Sequence, residues 1–118
     1  MKKILLVDDS STIRTMLKSS LIGEYEVLEA EHGEDALKKM AGQMIDLFLL
    51  DVNMPVMDGL TLVKEIRKQA QFAKTPILML TTETKEERKS EGKAAGANGW
   101  IIKPCEPDQL LGVIKKLV

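Results

Sequence analysis

Asp46-Leu47-Phe48-Leu49-Leu50-Asp51-Val52-Asn53-Met54-Pro55 is the stretch on which the fold turns. Four apolar residues in a row, Leu47 to Leu50, suit a strand buried on both faces. Asp51 ends the run. A carboxylate there sits at the carboxyl edge of a buried strand, where open α/β sheets bind their ligands. Pro55 pushes Met54 out of helical geometry, so residues 52–55 read as loop. Asp58-Gly59 supplies a turn and a helix start. Taken alone, a strand-end aspartate more often caps the next turn than carries chemistry. The rest of the chain changes that balance, because it repeats the same pattern of apolar strand followed by polar residue.

Upstream, residues 3–7 form a β-branched and leucine run, followed by the capping side chains Asp8-Asp9-Ser10-Ser11-Thr12. Ile13, Met16, Leu17 and Leu21 recur at helical spacing, with Met16 read as core filler and Gly23 closing the helix. Residues 27–30 make a weaker second strand. His32-Gly33 opens a turn, and Ala36, Leu37, Met40 and Ala41 mark a second helix. His32, the single histidine, reads as an exposed turn residue with no partners for a metal. Downstream, Leu60, Val63 and Ile66 give the apolar face of a third helix, which ends in the polar run Arg67 to Gln71. Residues 76–80 are a fourth strand ending in Thr81-Thr82-Glu83. A fourth helix, about residues 85–95, is poor in apolar residues, and Gly92 inside it should cost about 1 kcal/mol against alanine. Trp100 to Ile102 is a fifth strand before Lys103-Pro104, and Leu110, Val113, Ile114 and Leu117 face the core from a last helix.

The order is βαβαβαβαβα. Short apolar strands alternating with amphipathic helices imply right-handed crossovers and an α/β fold, a doubly wound five-stranded parallel sheet in a three-layer sandwich. The 118 residues suffice for one domain, 1–118, with one real core. Seventeen basic against 18 acidic residues give no reason to propose nucleic acid or a membrane as partner. The single cysteine, Cys105, excludes an internal disulfide and fits a reducing compartment. The apolar run behind Met1-Lys2-Lys3 is too short for a secretory core or a membrane span. A cytoplasmic protein is expected.

Parallel strands present their carboxyl ends on one edge, which gathers Asp8, Asp9, Asp51, Thr81 and Lys103 in space. Three carboxylates close together repel one another. A hard divalent cation resolves this, and Mg²⁺ binds through one or two carboxylates while leaving room for phosphate oxygens. Lys103 adds a positive charge and Thr81 a hydroxyl donor, a set suited to holding a phosphoryl group. A carboxylate among them could be the nucleophile.

Asp8-Asp9, Asp51 followed by Val-Asn-Met-Pro and by Met57-Asp58-Gly59, Thr81, and Lys103-Pro104 fall in one order along the whole chain. This set resembles the receiver domain of bacterial two-component response regulators, and among them the single-domain chemotaxis type. The resemblance implies a flavodoxin-like sheet with strand order 2-1-3-4-5. It implies that Asp51 is the phosphoacceptor, forming an aspartyl phosphate. Asp9, Asp51 and the backbone carbonyl of Asn53 would bind Mg²⁺ directly, with Asp8 helping through water. Thr81 and Lys103 would hold the phosphoryl oxygens, and the Lys103-Pro104 bond would be cis. The phosphate would come from a histidine kinase and leave by water attack, with Asn53 and Glu83 tuning that loss. Thr81 and the aromatic position on the fifth strand, here Trp100 where tyrosine or phenylalanine is usual, would form a switch. Its output would run through the fourth helix, fifth strand and fifth helix. That fourth helix reads as marginal, weakened by Gly92 and by the like charges Glu87 and Glu91. The resemblance further implies a monomer that is not an enzyme in the ordinary sense and has no output domain. Its downstream partner would be a flagellar motor switch or a relay protein.

Two other classes share parts of the pattern. A haloacid-dehalogenase-like phosphatase also uses a strand-end aspartate and Mg²⁺, but wants a second aspartate two positions on, where Asn53 stands. A flavodoxin-like FMN binder could cradle phosphate on Ser10-Ser11-Thr12. There Asp8-Asp9 would repel it, and 3% aromatic residues leave few rings for a flavin.

Overall fold

Each short apolar run forms a strand and each amphipathic segment a helix. The elements are β1 (Lys3–Val7), α1 (Ser11–Leu21), β2 (Glu26–Ala30), α2 (Gly33–Met40), β3 (Leu47–Asp51), α3 (Gly59–Arg67), a 3₁₀ turn (Ala70–Phe72), β4 (Ile77–Thr81), α4 (Glu86–Ala95), β5 (Gly99–Ile102) and α5 (Pro107–Leu117). The computed structural model describes residues 1–52, 57–81, 86–103 and 106–118, and of residues 86–89 the backbone only. Asn53, Glu83, Pro104, Cys105 and the side chain of Glu87 lie outside the described residues, and with them the expected cis bond.

The five strands are parallel in the order β2-β1-β3-β4-β5, as expected. Val7 pairs with Leu50, Asp51 with Leu80, and Thr81 with Ile102, so the carboxyl ends align at one edge. The pleat sends alternate side chains to opposite faces. Leu5, Val7, Phe48, Leu50, Ile77 and Met79 pack with Ala36, Met40, Leu62, Val63 and Ile66 from α2 and α3. Ile4, Leu6, Leu47, Leu49, Leu78 and Leu80 pack with Leu21, Leu110 and Ile114 from α1 and α5. β1, β3 and β4 are covered on both sides, which is why they read as unbroken apolar runs.

The helix starts follow from local chemistry. Ser10 Oγ accepts from the Ile13 amide at 3.3 Å and Asp58 Oδ1 from the Thr61 amide at 2.8 Å. His32 is the N-cap of α2, its Nδ1 accepting from the Asp35 amide at 3.1 Å, which gives the turn histidine a definite job. Burial works upward on the Asp35 carboxyl, but the Glu31 amide and the Lys39 ammonium outweigh it and hold its pKa below the usual value.

Met16 is not core filler: it is 65% exposed. The sheet-facing stripe of α1 runs through Ile13, Arg14, Leu17, Lys18 and Leu21, with Arg14 and Lys18 pairing with Glu29 on β2. Met16 lies off that stripe and faces outward. The polar run after α3 also hides a core residue. Phe72, on the 3₁₀ turn, is buried edge-to-face on Phe48 with ring centroids 5.2 Å apart.

Arg67 ends α3 and fastens the amino edge of the sheet. Its Nε and Nη2 donate to the Gly96 carbonyl at 3.2 and 2.9 Å. Its Nη1 donates to the carbonyls of Phe72 and Thr75 at 2.7 and 2.6 Å, and Nη2 also to Asn98 Oδ1 at 2.8 Å. Burial pulls the guanidinium's pKa below its ordinary value. Its position at the carbonyl end of α4, where Gly96 turns the chain at φ +117°, supplies favourable dipole charge in return. Arg67→Met keeps the stem and deletes the fork. It should lower stability by about 3 kcal/mol, read as a drop in urea midpoint at unchanged slope. A loss below about 0.5 kcal/mol would mean that water satisfies these carbonyls equally well.

Candidate functional site

Three polar or charged residues are buried among those described, Asp8, Asp51 and Thr81, and all three lie at the carboxyl edge of the sheet. Buried polar groups are costly unless engaged, so their concentration at one edge marks a site. Asp8 follows β1, Asp51 is the last residue of β3, and Thr81 the last of β4. Lys103 follows β5, and its amide donates to the Thr81 carbonyl at 2.7 Å, which carries its side chain back over the edge.

The Lys103 ammonium lies 2.8 Å from Asp8 Oδ2 and 3.6 Å from Asp51 Oδ1. Asp8 Oδ1 accepts from the Ser10 amide at 2.9 Å. Carboxylate oxygens of Asp8, Asp9 and Asp51 all come within 4.8 Å of one another, with Asp9 exposed and the other two buried. Three carboxylates thus cluster where one ammonium reaches two of them, an excess of negative charge among the described residues that suits a hard cation. The open side, at Asp9, leaves access for a ligand.

Backbone packing holds Asp51 in place. Asp58 caps α3 and the Gly59 amide donates to the Val52 carbonyl at 2.9 Å. A β-carbon on Gly59 would collide with the Asp51 carbonyl oxygen and meet the Val52 Cα at 2.8 Å. Only glycine lets α3 start this close to the strand end.

The family model for the response regulator receiver domain matches residues 4–115. The chain belongs to that family. This receiver domain is 43% identical over 111 residues to the chemotaxis protein CheY1 of Helicobacter pylori, covering 92% of this chain and 90% of the relative. Its fold matches the chemotaxis protein CheY4 of Vibrio cholerae with a TM-score of 0.96 at 49% identity, covering 100% and 99% of the two chains. The response regulator TrrA of Thermotoga maritima, solved in complex with Mg²⁺ and beryllium fluoride, matches with a TM-score of 0.89 at 39% identity over 100% of both chains. Receiver domains are signalling phosphoacceptors, and the phosphatase and flavin alternatives fall away. The Ser10 amide, which a flavin phosphate would need, is already committed to the Asp8 carboxylate.

The fold brings together five of the expected residues, Asp8, Asp9, Asp51, Thr81 and Lys103, while Asn53 and Glu83 lie outside the described residues. Trp100 is the second residue of β5, short of the strand's carboxyl end. It pairs with Met79 on β4, two residues before Thr81, so the pleat puts Thr81 and Trp100 on the same face of the sheet. Arg14 went unrecognised at this edge, although its Nη1 donates to the Asp8 carbonyl at 2.6 Å. The signal was an arginine next to Ile13 on an apolar helix stripe, a place where charge is seldom left without a partner.

Gly92 has a different role from the one its helix position suggests. The glycine is buried, and a β-carbon on it would meet Trp100 Cζ3 at 2.8 Å and Cε3 at 3.2 Å. It is the notch in α4 that receives the indole. Helix propensity alone would make Gly92→Ala stabilising by about 1 kcal/mol. The opposite is expected: a lower denaturation midpoint and a red-shifted Trp100 emission as the ring is displaced toward water. A raised midpoint with unchanged emission would show that the indole has room to spare.

Proposed function

We propose that this receiver domain is a phosphorylation-controlled signalling protein in which Asp51 accepts the phosphoryl group. The observation that carries the reading is the Asp51 carboxylate at the end of a buried strand, beside the acidic neighbours Asp8 and Asp9 and 3.6 Å from the Lys103 ammonium. A carboxylate oxygen of Asp51 attacks phosphorus, the bond to the donor's leaving group breaks, and an acyl phosphate results. Lys103 neutralises the phosphoryl oxygens, and the Thr81 hydroxyl donates to one of them. Asp8, Asp9 and Asp51, with the Asn53 carbonyl, would hold Mg²⁺. Bound there, the ion supplies positive charge that offsets the carboxylates and the incoming phosphate. TrrA, solved with Mg²⁺ and beryllium fluoride, supports this choice of ion. Water attack on the acyl phosphate resets the protein, with Asn53 and Glu83 setting its rate.

The donor is a histidine kinase of chemotaxis type, and the readout is a flagellar motor switch or a relay protein. The support is the naming of the relatives as chemotaxis proteins. In this reading residues 1–118 act as one domain, monomeric and in the cytoplasm, with neither nucleic acid nor membrane as partner. Among the described residues, no helix is long and apolar enough to cross a membrane.

Acetyl phosphate with Mg²⁺ should label Asp51 alone, detected by mass spectrometry after borohydride trapping. Full labelling of Asp51→Asn, or of the wild type in EDTA, would defeat the assignment.

The output surface is α4, β5 and α5, with Thr81 and Trp100 as its linked parts. Phosphate draws the Thr81 hydroxyl inward, and the indole, sharing that sheet face, responds. Trp100 is the sole tryptophan, so its fluorescence reports on this surface unlabelled. Beryllofluoride with Mg²⁺ should change its emission beyond the effect of Mg²⁺ alone, and Thr81→Ala should abolish the extra change. Identical emission in both states, with analogue binding verified separately, would make Trp100 a static core residue.

A further inference from the structure

Arg14 lies on the sheet-facing stripe of α1, and its side chain is only 12% exposed. A guanidinium withdrawn from water needs partners on every edge. Nη1 donates to the Asp8 carbonyl at 2.6 Å. Nε lies 3.7 Å from Glu29 Oε1 and Nη2 4.0 Å from Glu31 Oε1. Glu29 is held in turn by Lys18 at 3.3 Å. The side chain is therefore braced from β2 while it grips one atom next to the acidic cluster.

That atom matters because a peptide unit is planar. The Asp8 carbonyl and the Asp9 amide belong to one plate, so fixing the oxygen fixes the direction in which the chain enters Asp9. Asp8 has other anchors: its amide donates to the Ala30 carbonyl at 3.2 Å, and its carboxylate engages Ser10 and Lys103. Asp9 is exposed and lacks the burial that locks its neighbour.

We propose that Arg14 is a positioning residue for the divalent-cation site, clamping the Asp8–Asp9 peptide so that the Asp9 carboxylate is held toward Asp8 and Asp51. The inference rests on the Mg²⁺ reading above. Charge alone argues the other way, which makes the sign decisive. A cationic side chain near a cation site repels the ion, so its removal should tighten binding if Arg14 acted only through its charge. As a clamp, its removal should loosen binding.

Calorimetric Mg²⁺ titration of the full chain tests this, alongside the ¹⁵N–¹H resonance of the Asp9 amide. Arg14→Gln should weaken Mg²⁺ binding about tenfold, the scale of a lost outer-sphere support. Arg14→Lys, which preserves the charge and is the milder change for folding, should weaken it in the same direction. In both variants the Asp9 amide resonance should move, because its own peptide carbonyl has lost the guanidinium that holds it. Unchanged or tighter Mg²⁺ binding in the variants, with wild type binding normally, would overturn the clamp and leave the site reading intact. Wild-type protein that takes up no Mg²⁺ would overturn the site reading and the clamp together.

Discussion

A parallel strand covered on both faces has nowhere to place a charge except at its ends. β3 obeys this constraint throughout: four apolar residues and then Asp51, all buried. Because the covered strands β1, β3 and β4 run the same way, the constraint acts on each of them and delivers its polar residue to the same edge. Burying Asp8 and Asp51 there is tolerable only because compensating groups stand within reach. Lys103 touches both, and the Ser10 amide takes the second oxygen of Asp8. The acidic cluster is thus a consequence of sheet topology as much as of the residues in it.

Much of the fold was legible because the hydrophobic period switches cleanly between runs and helical spacing. The site was legible for the same reason: once the strands are parallel, the residues after each one must meet. What stayed hidden depends on contacts between distant parts of the chain. Met16 has the spacing of a core residue, but the stripe that meets the sheet includes Arg14 and Lys18, paired with Glu29 on β2, and leaves Met16 outside it. Phe72 follows a polar run, and its burial depends on core partners such as Phe48 opposite. Gly92 reads locally as a weak point in a charged helix; its reason is an indole that arrives from β5. Local propensity carries no information about a partner eight residues further on and in another element.

The two flanks of the acidic edge are built differently. On the α3 side, Gly59 brings the helix start against the Asp51 and Val52 backbone, so strand and helix meet without an intervening side chain. On the α4 side, the contact is made by a large, half-buried aromatic resting in a notch. Backbone against backbone leaves little room for adjustment, whereas a side chain in a notch can change rotamer without unpairing the sheet.

Arg67 has a consequence for how this chain can diverge. Among the described residues, four of its five hydrogen bonds end on backbone carbonyls, of Phe72, Thr75 and twice of Gly96. Peptide oxygens survive every substitution, so the residues that carry them are free to drift in identity as long as the path of the chain holds. Among the described residues, Asn98 is the one partner that contributes a side chain. Tolerance is therefore spread widely around the amino edge, while vulnerability is concentrated in a single arginine. A lineage could rewrite most of that rim and keep its shape, but the first change at position 67 would expose how much had come to lean on it.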